Sequence, residues 1–325
     1  MFFLFRWISG SSLWLSSLLV HIFGTTSLLL GIRGNESIEG QALKSGQAEP
    51  VTARRQDVIK ALRLLKVSQC FDSDNGVLRY KYTKVLYVED DNTYQARSKS
   101  RLRPNLDIEL NKDELTHITL IPIESYCPPY SPEFTLAPKA PLEGYYVKQP
   151  DLMSYGEGLN ICDIVLTDIR ACEILRKYPH LNVAQYHGCQ VQNGRVTGLC
   201  FTRYTETLSQ RENPGHLSKD DFSRSGPRNP DKVEHYLEGI ESGIHHIHSV
   251  GLIHNDINPN NIMITEDDRP VIIDFDSCLP EGTPLGLTKR TFQWHNPRDQ
   301  ISEMSNDVWS LKEICTWLAG AGNEE

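Results

Sequence analysis

LIHNDINPNNIMI, residues 252–264, sets a polar loop between two hydrophobic runs. His254, Asn255, Asp256 and Asn258 come before Pro259, and Asn260 and Asn261 close the loop. The run RPVIIDFDSCLP follows at 269–280, in which Val271 to Ile273 read as a short buried strand ending on Asp274, Phe275 and Asp276. Two short strands that end on polar clusters point those clusters at one place. Asp256, Asn261 and Asp274 are the residues such a layout would bring together. Singly, each is an ordinary turn former; together they supply a carboxylate able to take a proton and oxygen ligands of the kind magnesium prefers.

Working outward, DKVEHYLEGIESGIHHIHSVG at 231–251 puts Val233, Tyr236, Leu237, Ile240, Ile244 and Ile247 on one helical stripe, and Gly251 ends it. A second helix is expected over 161–178, and a buried strand at GLCFTRY, 198–204. Residues 209–230 read as a polar insertion. Earlier, strands are expected at 79–89 and 115–123, with an exposed basic loop over 92–105. A short amphipathic helix is expected over 53–69, with Val58, Leu62 and Leu65 on one stripe. Strands first, then helices with short strands, predict an α+β fold.

The pattern H-x-D-x-x-x-x-N followed by D-F-x resembles the protein kinase superfamily, whose loop reads H-R-D-x-x-x-x-N and whose metal motif reads D-F-G. Lys148 in GYYVKQP, Glu173 in RACEILRKYPHLNVAQYHG and NDVWSLKEI at 306–314 add to the likeness, which covers about 115–325. The resemblance implies a two-lobed kinase-like domain over 111–325, with an N-lobe at 111–203 and a short C-lobe at 204–325. It implies Asp256 and Asn258 as catalytic residues and Lys148, Glu173, Asn261 and Asp274 as ATP-binding residues, with Asn261 and Asp274 on Mg2+. Asp168, one turn before Glu173, is a rival partner for Lys148. The implied reaction moves the ATP γ-phosphate to a Ser or Thr hydroxyl of a protein.

Four departures stand out. No G-x-G-x-x-G precedes Lys148, where Pro128, Pro129, Pro132, Pro138 and Pro141 occur instead. Asn255 stands for the family arginine, Asn258 for the lysine that faces the transferred phosphoryl, and Asp276 for the glycine of the metal motif. The last two also resemble aminoglycoside and choline kinases, so a small-molecule acceptor is a rival expectation. A pseudokinase that binds partners through the fold is another. His245, His246 and His248 lie near a helix end with no acidic or cysteine partner in the sequence, and packing roles are expected for them.

The net charge of −9 over 325 residues argues against a surface made to neutralise nucleic acid. Eight cysteines without a C-x-x-C pair favour reduced thiols. Residues 1–34 are hydrophobic, and 7–32 are long enough to cross a bilayer, as an anchor or a signal, with the kinase domain then cytosolic. Residues 35–110 read as a linker plus a small extension. With the chain stopping at Glu325, the helix carrying Trp309, Leu311, Trp317 and Leu318 is expected to expose its apolar side.

Overall fold

A computed structural model describes residues 62–74, 77–102, 110–139, 144–226 and 228–320. They divide into two compact units, with the boundary between Thr119 and Leu120. The hydrophobic segment 7–32 lies outside the described residues, among which no helix is long and apolar enough to cross a membrane.

The first unit is a sheet of β1 (Arg63–Asp74), β2 (Val77–Glu89), β3 (Asn92–Ser98) and β4 (Leu115–Ile121), ordered β1-β2-β3-β4. Val67, Val85, Tyr87, Ala96 and Leu115 form its core, with Leu62 and Leu64 packed against them. The helix expected over 53–69 is therefore wrong from Arg63 onward; residues 53–61 lie outside the described ones. The register shift between Leu64 and Lys66 leaves Leu65, a residue of the expected stripe, 41% exposed, while Leu62 and Leu64 pack partly buried against the core with Val67. The basic loop expected over 92–105 is in part strand β3, because Thr93, Ala96 and Ser98 are buried while Arg97 faces out.

The second unit opens with a three-stranded sheet, order β5-β7-β6, of β5 (Tyr145–Lys148), β6 (Tyr186–Gln192) and β7 (Arg195–Thr202). Helix α1 (Ile161–Leu175) is capped by the Asn160 side chain and buries Val165, Ile169, Cys172 and Leu175. The proline-rich segment runs along the sheet: Val196 N–H donates to Pro128 O, Tyr130 N–H to Gly194 O, and Ala137 N–H to Cys189 O. Gly188 makes that approach possible, since at φ +130° an added Cβ would lie 2.5 Å from the Leu136 carbonyl carbon.

After β8 (Glu206–Thr207), the stretch read as a polar insertion folds into α2 (Leu208–Glu212) and α3 (Lys219–Arg224). The long helix α4 (Pro230–Ser249), started by an Asn229 cap and Pro230, buries Tyr236, Ile240, Ile244 and Ile247, four of the stripe's residues. Short strands β9 (Leu252–Ile253), β10 (Ile262–Ile264), β11 (Pro270–Ile272) and β12 (Leu279–Pro280) follow, then α5 (Met304–Ala319). The exposure expected for α5 fails for Trp317 and Leu318, which are 2% and 0% exposed, while Trp309 and Leu311 are half-buried. Trp317 lies 4.3 Å from Phe222 of α3 and 5.8 Å from Trp294, centroid to centroid, so the supposed insertion supplies its cover. The eight cysteines are free thiols.

Candidate active site

The loop 254–261 is held from behind. Asp307, near the start of α5, accepts from His254 N–H (2.9 Å), Asn255 N–H (2.8 Å) and His248 Nε2 (2.8 Å). His248 thus has an acidic partner that the sequence did not reveal. His254 accepts from Asp256 N–H at Nδ1 and places Nε2 3.0 Å from Ile273 O, which fixes the tautomer with its proton on Nε2. Asn255 adopts φ 64°, a left-handed conformation that asparagine tolerates. Its side-chain amide donates to Ile253 O, Ser277 O and Ser302 Oγ, and its Oδ1 accepts from Asn306 Nδ2.

Asp256 is 1% exposed. Its Oδ1 accepts from Thr291 N–H at 2.7 Å and Asn258 Nδ2 at 3.3 Å, and its Oδ2 from Asn261 Nδ2 at 3.3 Å. Burial pushes its pKa up to about 6, against the opposing pull of Lys289 and the Thr291 hydrogen bonds. Asn258 is equally buried and donates to Asp256 O and Thr291 Oγ1, so it ties the loop to the segment around Thr291.

Asn261 carries the loop across to the next strand. Its Nδ2 donates to Asp256 O at 2.9 Å, and its backbone carbonyl accepts from Ile273 N–H at 3.0 Å, next to Asp274. Asp274 sits at φ 69°, one of the strained backbones that collect at functional sites. Lys148, at the end of β5, forms ion pairs with Asp274 and, at 2.5 Å, with Asp168 of α1. Burial works against ionising Asp274, but Lys148 and then Lys289 hold its carboxyl well below the usual range. Burial likewise works against the Lys148 charge, which Asp168, Asp274 and Asp276 more than restore.

Lys148 does not pair with Glu173. The Glu173 carboxylate instead accepts from Thr135 N–H (2.7 Å), Thr135 Oγ1 (2.9 Å) and Tyr186 OH (3.2 Å). Glu173 lies five positions, more than one helical turn, beyond Asp168 on α1, which aims it at the proline-rich segment while Asp168 meets the lysine. Asp168, the rival residue, is the partner.

The sequence reading missed Lys289, whose Nζ lies 3.6 Å from Asp274 Oδ2 and 3.5 Å from Asp276 Oδ2. No motif marks it; only folding of the 281–291 segment brings it to the loop. Asp168, Asp256, Asp274 and Asp276 thus surround two ammonium groups, Lys148 and Lys289, and the excess of negative charge fits a divalent cation. Asn261 Oδ1 accepts no hydrogen bond among the described residues and is a further oxygen donor. Among the described residues there is no cluster of three or more His, Cys, Asp or Glu arranged for a metal.

A protein kinase domain model matches residues 165–318, a stretch that includes Asp256, Asn261 and Asp274 but begins after Lys148. The Serine/threonine-protein kinase Tao of Drosophila melanogaster is 27% identical over 165 residues, 48% of this chain and 14% of that protein. The 3-phosphoinositide-dependent protein kinase 1 of Arabidopsis thaliana is 38% identical over 61 residues, 19% of this chain and 12% of that protein. The Serine/threonine-protein kinase crk1 of Schizosaccharomyces pombe is 27% identical over 88 residues, 25% of this chain and 26% of that protein. The matched part therefore spans at most 26% of the length of these relatives. Taken with the loop and strand geometry, the family match and these similarities support a protein kinase-like domain over residues 165–318.

Proposed function

We propose that this chain transfers the γ-phosphate of ATP to a Ser or Thr hydroxyl of a protein. The observation that carries the reading is the bridge made by Asn261, whose amide holds Asp256 while its carbonyl binds the backbone beside Asp274. Asp256 accepts the proton of the attacking hydroxyl as the new oxygen–phosphorus bond forms and the bond to ADP breaks. Asn258 keeps Asp256 against Thr291. Lys148, oriented by Asp168, faces the nucleotide phosphates. Asn261 and Asp274 are the residues that would hold Mg2+, which when bound would neutralise phosphate charge. Two serine/threonine kinases among the relatives support a protein acceptor. The domain assignment that goes with this reading is kinase-like from 111 onward, with lobes meeting near 203.

The proline-rich segment favours a second reading, a binding module with weak nucleotide affinity. Its amides at Tyr130 and Ala137 donate to the sheet and are not free to cradle phosphates. One experiment separates the two. The full chain, given labelled ATP and a Ser/Thr peptide library with Mg2+ or EDTA, is expected to label peptides only with the metal, and Asp274→Asn to abolish labelling. Absence of metal-dependent transfer in the unmutated chain would leave the binding module as the better reading.

A further inference from the structure

We propose that Lys289 is the cation that faces the phosphoryl group in flight, supplied by the segment after the metal motif and not by the loop itself. The inference rests on the phosphotransfer reading and gives that site a positive group which Asn258 cannot provide. Asn258 is neutral and buried, and its amide donates to Asp256 and Thr291. Lys148 is committed to Asp168 and Asp274. Lys289 differs from both.

Its ammonium lies 3.6 and 3.5 Å from Asp274 and Asp276, longer than the roughly 2.8 Å of a well-made ammonium–carboxylate bond. Its side chain remains 55% exposed. The group therefore sits at an open edge between the metal motif and the base, its ion pairs with Asp274 and Asp276 long. Its backbone, by contrast, is pinned. Ser277 Oγ donates to Lys289 O at 2.7 Å, and two residues on Thr291 N–H donates to Asp256 Oδ1 at 2.7 Å. A fixed backbone and a loosely paired ammonium are what a site needs to meet charge that develops late. As the hydroxyl oxygen binds phosphorus, ADP leaves with the bridging oxygen and the proton passes to Asp256, negative charge spreads over three phosphoryl oxygens. A preorganised cation there lowers the barrier more than one that must be recruited.

The test compares the full chain with Lys289→Met, which keeps the apolar stem and loses the charge, and with Lys289→Arg. Single-turnover transfer from Mg·ATP to the peptide library is expected to slow about 100-fold in Lys289→Met, the scale of losing one charge-stabilising donor. Lys289→Arg should recover most of the rate, and Mg·ADP affinity should change less than twofold in both. A Lys289→Met rate within threefold of the unmutated chain, or above it, overturns the inference and leaves the phosphotransfer reading intact. If the unmutated chain transfers nothing, that reading falls, and calorimetry still decides the lysine. A preference for Mg·ATP over Mg·ADP that disappears in Lys289→Met supports it; an unchanged preference, or no nucleotide binding, overturns it.

Discussion

Under the proposed function, one buried side chain, Asp256, bears on both a rate and a stability. Its carboxyl is fully enclosed, and burial raises its pKa from 3.8 to about 6. A carboxyl whose folded pKa exceeds its unfolded one binds its proton more tightly in the folded state. Its favourable contribution is complete below about pH 4, the unfolded value, and is lost as pH rises through about 6. At neutral pH the ionised group therefore opposes folding, by something on the order of 3 kcal/mol. In the proposed reaction Asp256 takes the proton and must be ionised, so the acid limb of kcat/KM should have its midpoint near pH 6. Asp256→Asn keeps an acceptor for Thr291 N–H while removing the charge. It should slow transfer about 100-fold or more at pH 7 while melting no lower than the unmutated chain. A mutant that melts well below it at pH 7 would show that the carboxylate is structurally favourable and that this account of its burial is wrong.

Between elements, the site depends on how closely α4 approaches the strand before Asp274. Gly243 has no side chain where Asn182 O and Ile272 Cδ1 would each lie 2.8 Å from a Cβ. Asn182 O also accepts from Ile272 N–H at 2.8 Å, two residues before Asp274. Alanine is the better helix former by about 1 kcal/mol, yet here its methyl must push a backbone carbonyl out of a hydrogen bond. Gly243→Ala should therefore destabilise the protein by about 1–3 kcal/mol in denaturant titration, the usual cost of overpacking. It should also weaken metal-dependent nucleotide binding, because Asp274 moves with the strand. A stability gain would mean that α4 can slide away without disturbing β11. Elements were legible where one face is plainly apolar: Tyr236, Ile240, Ile244 and Ile247 announce α4. They were not legible at β1, where a register shift beside the exposed Leu65 breaks the strand's alternation, nor at α3, where a single apolar residue, Phe222, is buried in a polar stretch.

Across the second unit, Asn255 joins β9, the segment after Asp276 and α5 without any charge. Its amide reaches Ile253 O, Ser277 O and Ser302 Oγ, and Asn306 reaches back to it. The segment is further held by Leu285 N–H on Gln300 O, Ser302 N–H on Thr283 O and Gly282 N–H on Ser302 O. An arrangement already closed by neutral hydrogen bonds has no need of a phosphate paired to an arginine. Phosphatase treatment of the purified protein should leave peptide transfer within about twofold, since no charge-assisted bond is lost. A tenfold fall would mean that a basic residue of this segment, such as Arg290, takes a phosphate after all.

The sequence by itself determined which polar groups gather at the candidate site: His254, Asp256, Asn261 and Asp274 are close in the chain, and the short buried strands between them leave few ways to arrange them. Only the tertiary structure decided which groups answer them from a distance. Asp168 rather than Glu173 meets Lys148 because helix pitch sends side chains five positions apart in different directions. His248 and Asp307 find each other across 59 positions of chain, and Lys289 arrives on a segment with no motif. Local spacing constrains neighbours through backbone geometry. Pairing of distant charges is settled only when the packed elements exclude water and bring the opposite charges within reach.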